Sequence, residues 1–116
     1  MANLVRWLEE ALEAGETIQS TVIGDMGWPG FGDEPGYGSE GVPLYNEQLR
    51  GKVLSWNDAR RFLDYDFDDG FGAPGCNAVY AWTAKRVFFI NQYDGRTKLS
   101  WVPRDPCECE PTMPGG

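Results

Sequence analysis

The stretch from residue 77 to residue 106 constrains the fold more than any other part of the chain. Three short apolar runs follow one another there, at 78–82, 86–92 and 98–102. They are separated by a tight turn at 83–85 and by Asp94-Gly95, a dipeptide typical of two-residue hairpins because both positions accept a positive φ. The pattern predicts a three-stranded antiparallel meander that has 86–92 as its central strand and ends at Pro103.

Two amphipathic segments predict helices. Over residues 4–14, apolar side chains recur at helical spacing, with Asn3 as a plausible N-cap and Gly15 as the C-terminal stop. A shorter helix is expected from Trp56 to Leu63, because Ser55 and Asp58 approximate a capping box in front of it.

Two further segments predict strands. Residues 17–23 are rich in β-branched side chains, and residues 64–68 alternate between apolar residues and aspartates with period two. Together with the meander, these elements predict an α+β domain: a mainly antiparallel sheet of four to five strands, with one or two helices packed on one face.

The domain is expected to span residues 1–106. Residues 24–41 form a glycine-rich segment without helical or strand periodicity. Long loops of this kind either serve a function, as a lid or binding loop, or are insertions without a role. Residues 107–116 are rich in Pro and Gly and predict a flexible tail.

Composition argues against several classes of function. The formal net charge is −8, whereas nucleic-acid binders and binders of anionic membranes need a basic surface. The chain has no His, which removes Ser-His and Cys-His nucleophile pairs. No glycine-rich phosphate-binding motif follows a strand. We therefore expect a protein that is not an enzyme and needs no cofactor.

The cysteines and the N-terminus predict a reducing compartment. Cys76, Cys107 and Cys109 are an odd number of thiols and lack the paired spacing of a zinc site, so free thiols and no metal are expected. The first fifteen residues are acidic and amphipathic, without the apolar core of a signal peptide, and no apolar run is long enough to span a membrane. These features predict a soluble protein of the cytoplasm.

A row of carboxylates is the most distinctive local feature. Asp64, Asp66 and Asp68 share one face of the predicted strand, where like charges repel. An EF-hand is excluded, because Asp69 replaces its glycine and Gly75 its final glutamate. Three readings stay open: solvation or pairing with a cation of the meander, an acidic docking face, or a divalent metal site. The meander cations in question are Arg86, Arg96 and Lys98.

Aromatic residues around the meander suggest a second candidate site. A small-ligand pocket or a protein hot spot is expected if they converge. Its members would be Trp82, Tyr93 and Arg104, with Trp28 and Phe31 lying over them. The alternative is that Trp82 and Trp101 are cross-strand partners in the core.

Several strings of the chain resemble a known group of proteins. They are Gln92-Tyr93-Asp94-Gly95-Arg96-Thr97, Val102-Pro103-Arg104-Asp105-Pro106 and Pro111-Thr112-Met113-Pro114-Gly115-Gly116, and residues 23–28 and 69–74 upstream. They resemble small proteins of unknown function encoded by tailed phages of actinobacteria, which carry Tyr-Asp-Gly-Ser-Thr and Pro-Arg-Asn-Pro. Here Arg96 replaces the serine and Asp105 the asparagine. The resemblance implies a phage origin and a setting in the host cytoplasm, and it brings no catalytic residues.

These observations lead to a functional hypothesis. We expect a non-enzymatic phage accessory protein that acts by binding, with an acidic surface that blocks a host or defence protein. That surface would comprise Glu9, Glu13, Asp64, Asp66 and Asp68. The alternatives are a protein that sequesters a small ligand such as a nucleotide signal, and a minor virion or assembly component. A host or phage protein is the favoured partner, and the sequence leaves the oligomeric state open.

Overall fold

A computed structural model of the chain describes residues 1–27, 49–70, 72 and 74–113. These residues confirm the predicted α+β class, with two helices and two antiparallel sheets. In chain order the elements are β1 (Ala2–Asn3), α1 (Leu4–Ala11), β2 (Ser20–Met26), α2 (Trp56–Leu63), β3 (Asp66–Phe67), β4 (Asn77–Trp82), β5 (Arg86–Tyr93) and β6 (Arg96–Pro103).

The predicted meander is the centre of the main sheet. Its strand order is β2-β4-β5-β6, and every neighbouring pair is antiparallel. Asp94 and Gly95 take φ values of 51° and 79°, as a two-residue hairpin requires. Tyr93 therefore pairs directly with Arg96, and this pairing fixes the register along the whole β5–β6 ladder.

The strand predicted at 17–23 lies three residues further along the chain. Gly24, the first residue of the predicted glycine-rich segment, is inside β2. A Cβ at this glycine would lie 3.3 Å from the Cβ of Ala78 on β4, so the residue permits close contact between two strands. Residues 24–26 of the predicted glycine-rich segment therefore belong to a strand. The remainder of that segment from residue 28 onward lies outside the described residues.

The strand predicted at 64–68 is shorter and pairs elsewhere. Only Asp66–Phe67 is a strand, and it pairs with Ala2–Asn3 in a separate small sheet. Asp64 is the C-cap of α2, so the strand begins at Asp66, two residues later than predicted. The predicted alternation is confirmed, because Tyr65 and Phe67 are buried, whereas Asp64, Asp66 and Asp68 are exposed.

Side-chain caps fix where both helices begin. The Asn3 Oδ1 atom accepts hydrogen bonds from the backbone N–H groups of Val5 (2.9 Å) and Arg6 (3.2 Å). Ser55 Oγ accepts one from the N–H of Asp58 at 3.2 Å, and α2 has its predicted bounds. The first helix ends at Ala11, three residues earlier than predicted, and the chain then turns through Gly15 at a φ of 82°.

The core lies on one face of the main sheet, which we call the inner face. Its strand residues include Ile23, Val79, Ala81 and Phe88. Both helices and the small sheet pack against it, and the buried residues that they contribute are Ala2, Leu4, Val5, Leu8, Ala59, Leu63 and Phe67. The opposite face of the sheet is called the outer face below.

A buried ion pair joins the sheet to the segment after α1. Arg86, the first residue of β5, donates to both carboxylate oxygens of Glu16, with 3.0 Å from Nε to Oε2. Its Nη2 atom also donates to the carbonyl of Ala11 at 2.8 Å. The two side chains are only 10% and 6% exposed. The guanidinium holds the pKa of Glu16 at about 2, with help from the Thr83 hydroxyl, and burial opposes this shift.

Replacing Arg86 by alanine should leave the Glu16 carboxylate buried without its cation. We expect a loss of about 3–5 kcal/mol in the free energy of unfolding, measured by urea denaturation at pH 7. The matched control is Arg60→Ala, which breaks the half-exposed Arg60–Glu9 pair and should cost at most about 1 kcal/mol. Similar losses in the two variants would contradict the structural importance of the buried pair.

The depressed pKa of Glu16 predicts a pH dependence of stability. The carboxyl has an ordinary pKa near 4.5 when unfolded and about 2 when folded, so its contribution is complete above the unfolded value. It is lost as the pH falls from about 5 towards 2. Urea denaturation across this range should show a smaller loss for Glu16→Gln than for the wild type. Parallel pH profiles for the two proteins would refute the assignment.

Candidate binding surface

The outer face of the main sheet is apolar over most of its width. Antiparallel register places side chains of opposite residues on the same face, so Val22 pairs with Tyr80, which pairs with Phe89. In the same way Trp82 lies beside Val87, which lies beside Val102. The apolar residues that these two rows place on the outer face are Val22, Tyr80, Trp82, Val87, Phe89 and Val102, and Ser20 and Ser100 end the rows at the edges of the sheet.

These apolar side chains are open to solvent to a degree that is unusual for their type. Tyr80 is 57% exposed and Val102 is 47% exposed, and the other four are partly exposed. The Tyr80 and Trp82 rings meet edge to face, with their centroids 6.0 Å apart. Neither of the described helices packs on this face, since their buried side chains belong to the inner core. A contiguous exposed apolar patch of this kind marks an interaction surface.

Two grooves run over the outer face. One, of about 470 Å³, lies across β2, β4 and β5 and includes Val22, Tyr80 and Phe89 in its walls. The other, of about 560 Å³, lies between β6 and the C-terminal tail segment Cys109–Thr112. Phe89 borders both grooves, so they adjoin each other at β5.

Polar side chains form contacts at two opposite edges of the outer face. At one edge, Arg50 forms an ion pair with Asp25 of β2. At the other end of the strands, Arg104 Nη1 donates to Gln19 Oε1 (2.7 Å) and to the Thr83 carbonyl (2.9 Å). Arg104 thus fastens the exit of β6 to the turn before β5.

The aromatic site predicted from the sequence does not form. Trp82 pairs with Val87 near the start of β5, whereas Tyr93 ends that strand six residues later, roughly 20 Å away. Arg104 lies near Trp82 and far from Tyr93. Trp28 and Phe31, the expected roof, lie outside the described residues.

The alternative role for Trp82 is also wrong. Trp101 pairs with Phe88, so its side chain projects to the inner face, where its ring lies 4.9 Å from the Arg86 guanidinium. Trp82 belongs to the outer face and to a strand two positions away. The two tryptophans are therefore not cross-strand partners.

The carboxylate row has neutral hydrogen-bond donors. Asn3 Nδ2 donates to Asp64 at 3.1 Å and to Asp66 at 3.5 Å, and Asp68 Oδ1 accepts from the N–H of Gly70 at 2.8 Å. Arg86, one of the cations predicted to pair with these aspartates, forms an ion pair with Glu16 instead. Within the described ranges, no ion pair joins these aspartates to Arg96 or Lys98.

Basic side chains interrupt the predicted acidic surface. Glu9 and Asp64 border a shallow depression together with Arg6 and Arg60, and Arg60 Nη2 lies 3.1 Å from Glu9 Oε1. Glu13 does not border this depression, and its backbone N–H donates to the carboxylate of Glu16. This surface carries both signs of charge, so the acidic docking face stays a prediction that has lost part of its support.

The remaining reactive groups do not form a site in the described part of the chain. Burial raises the pKa of the Cys76 thiol to about 12, and burial also raises the pKa of Tyr65, whose hydroxyl accepts from the Asn77 N–H. No cluster of three or more potential metal ligands occurs among the residues described. Neither described helix has the length and apolarity needed to cross a membrane.

Comparison with known proteins gave no match to a family model, a curated protein or a solved structure. The resemblance to phage proteins therefore stays a prediction.

The thiols should differ sharply in reactivity. Cys107 and Cys109 are exposed in the tail, and Cys76 is buried. We expect a disulfide reagent at pH 8 to modify two thiols rapidly in the native protein and the third only after unfolding, because the thiolate is the reacting species. Cys76→Ala should leave the native count at two. Rapid modification of all three thiols without denaturant would show that the Cys76 environment is open.

Proposed function

We propose that the protein is a non-enzymatic binding protein and that it docks onto another protein through the outer face of its main sheet. The observation that carries this proposal is the apolar surface around Tyr80, Phe89 and Val102, which neither helix of the described part of the chain covers. The described helices pack on the inner face, so neither of them buries this surface. This surface gains no burial energy when the chain folds, whereas a partner that covers it would gain that energy on binding.

The shape and residue types favour a protein partner over a small ligand. The surface is broad and shallow, whereas small-molecule sites enclose most of their ligand. Tyrosine and tryptophan dominate binding energies at protein interfaces, and Tyr80 and Trp82 lie side by side near its centre. The separated positions of Trp82 and Tyr93 remove support from the small-ligand alternative.

The charge of the chain indicates what surrounds the partner's apolar patch. A net charge of −8 attracts a surface with lysines and arginines around its apolar centre and speeds encounter with it. The resemblance to phage proteins supports a host or phage protein of this kind in the host cytoplasm. On this proposal the acidic residues assist association, and the outer face supplies most of the affinity.

Two surface variants separate this proposal from the acidic-face hypothesis. Tyr80→Ser combined with Val102→Ser removes apolar area from the outer face, and Asp66→Lys combined with Asp68→Lys reverses the carboxylate row. A partner captured with the wild type from infected cells would be purified, and its affinity for each variant measured by calorimetry. We expect the first double variant to bind at least about tenfold more weakly, because truncating central aromatic contacts costs about 1–2 kcal/mol or more. The charge-reversed variant should stay within about threefold.

Both variants should unfold within a few degrees of the wild type, since all four positions are exposed. Binding should also persist when NaCl is raised from 0.1 to 0.5 M. Loss of binding on charge reversal, with the serine variant unaffected, would instead place the site on the acidic surface.

A further inference from the structure

The edge of the main sheet at β6 is open for most of its length. β6 pairs with β5 on one side and has no strand on the other side within the described ranges. The two-residue turn makes Tyr93 and Arg96 a hydrogen-bonded pair. The backbone N–H and C=O groups of even-numbered residues in β6 therefore bond to β5, and those of odd-numbered residues point away from β5. Thr97 confirms this alternation, because its N–H donates outward to the Asp69 carbonyl at 3.0 Å.

The backbone groups of Leu99 and Trp101 are therefore free to bind a strand. They follow Thr97 in the same outward series, and among the described residues no backbone hydrogen bond outside the β5 ladder involves them. Pro103 ends the series because it has no N–H. The register of β6 against β5 has no bulge, and a regular strand edge of this kind is a template for strand addition.

A groove already runs beside this edge. Its walls are β6 from Leu99 to Pro103 and Phe89 on one side and the tail segment Cys109–Thr112 on the other. Trp101 is 51% exposed on the inner side of the edge, and Val102 is exposed on the outer side. A strand lying here would place alternate side chains against these two residues, which is the way such sites combine backbone affinity with side-chain specificity.

The charges of the groove indicate what occupies it. Glu110 is the one charged residue among those that border it. A second copy of this chain fits poorly: antiparallel pairing of two β6 strands with Leu99 opposite Trp101 places Arg96 opposite Arg104, and each copy has a net charge of −8. An apolar segment with a lysine or arginine beside Glu110 suits the groove better.

We infer that the partner contributes an extended segment, apolar at successive positions and carrying a lysine or arginine, which joins the sheet as a strand along β6. This inference rests on the proposed function, since Phe89 and Val102 belong to both the groove and the outer face. It adds the mode of recognition and the chemical class of the recognised segment.

The test uses a displayed library of random twelve-residue linear peptides, selected on the full chain. We expect the recovered peptides to share an apolar run next to a basic residue. Synthetic versions should slow hydrogen exchange at the Leu99 and Trp101 amides at least tenfold. Peptides that leave these amides unprotected, or a selection without binders, would overturn the inference.

Leu99→Pro tests the backbone contact directly. Proline removes the outward N–H without breaking a bond to β5, and Leu99→Ala is the matched control for loss of the side chain. Peptide binding should fall at least tenfold in the proline variant and less than threefold in the alanine variant. If the proline variant does not fold, Glu110→Lys at an exposed position should weaken the basic peptides at least tenfold. Equal affinities for the proline and alanine variants, or for the wild type and Glu110→Lys, would overturn the inference.

Three further outcomes separate the two proposals. If the captured partner depends on Tyr80 and Val102 yet binds the proline and alanine variants equally, strand addition is wrong and the proposed function stands. If neither the serine variant nor the proline variant affects the partner, the proposed function itself fails. A dimer of the free protein that Leu99→Pro abolishes would make a second copy the occupant and would overturn the assignment of a basic segment.

Discussion

The contact between Arg86 and Glu16 determines how the two layers of this protein meet. The Arg86 guanidinium donates to the Glu16 carboxylate and also to the carbonyl of Ala11, the last residue of α1. Its flat surface lies 4.6 Å from the Phe88 ring centre and 4.9 Å from that of Trp101. A residue at the start of β5 thereby anchors the helical layer to the inner face. Because charges buried in this way are costly when separated, the helices cannot shift to the other face without a large loss of stability.

The outer face is distinctive because of this one-sided arrangement. An antiparallel sheet with one solvated face normally alternates apolar residues inward and polar residues outward. Here β5 has Val87 and Phe89 outward as well as Phe88 and Ile90 inward, and β4 has Tyr80 and Trp82 outward. Two helices of eight residues each cover one face of the sheet. The apolar outer positions are covered by neither of these two helices, and the edge of the sheet at β6 lies beside them.

Local chemistry made much of the fold predictable from the sequence. Asp94-Gly95 permits one tight turn and thus fixes the β5–β6 register, while Asn3 and Ser55 fix where the helices begin through their own side-chain oxygens. Contacts distant in sequence were not predictable. The β1–β3 pair joins residues more than sixty positions apart, and Arg86 finds Glu16 rather than the aspartates proposed for it. The place of Gly24 inside β2 was not predictable either, because it depends on close contact with Ala78 on the neighbouring strand.

The candidate surface could have been found from one signal in the sequence. Residues 87–90 are four consecutive apolar residues in a strand predicted to be antiparallel, which requires apolar side chains on both faces of the sheet. The same run also marks the central strand of the meander. Trp82, Tyr93 and Arg104 are close along the chain but do not converge, because Trp82 pairs near the start of β5 and Tyr93 ends that strand.

The proposed binding role requires that the outer face be open to solvent in the isolated protein. Hydroxyl-radical footprinting followed by mass spectrometry measures this exposure directly. Tyr80, Trp82 and Phe89 should be oxidised readily, while Phe67 and Phe88, which are fully buried in the inner core, should be protected until the protein unfolds. Protection of Tyr80 and Phe89 to the same degree as Phe67 and Phe88 would show that the face is already covered, and would contradict its assignment as the binding surface.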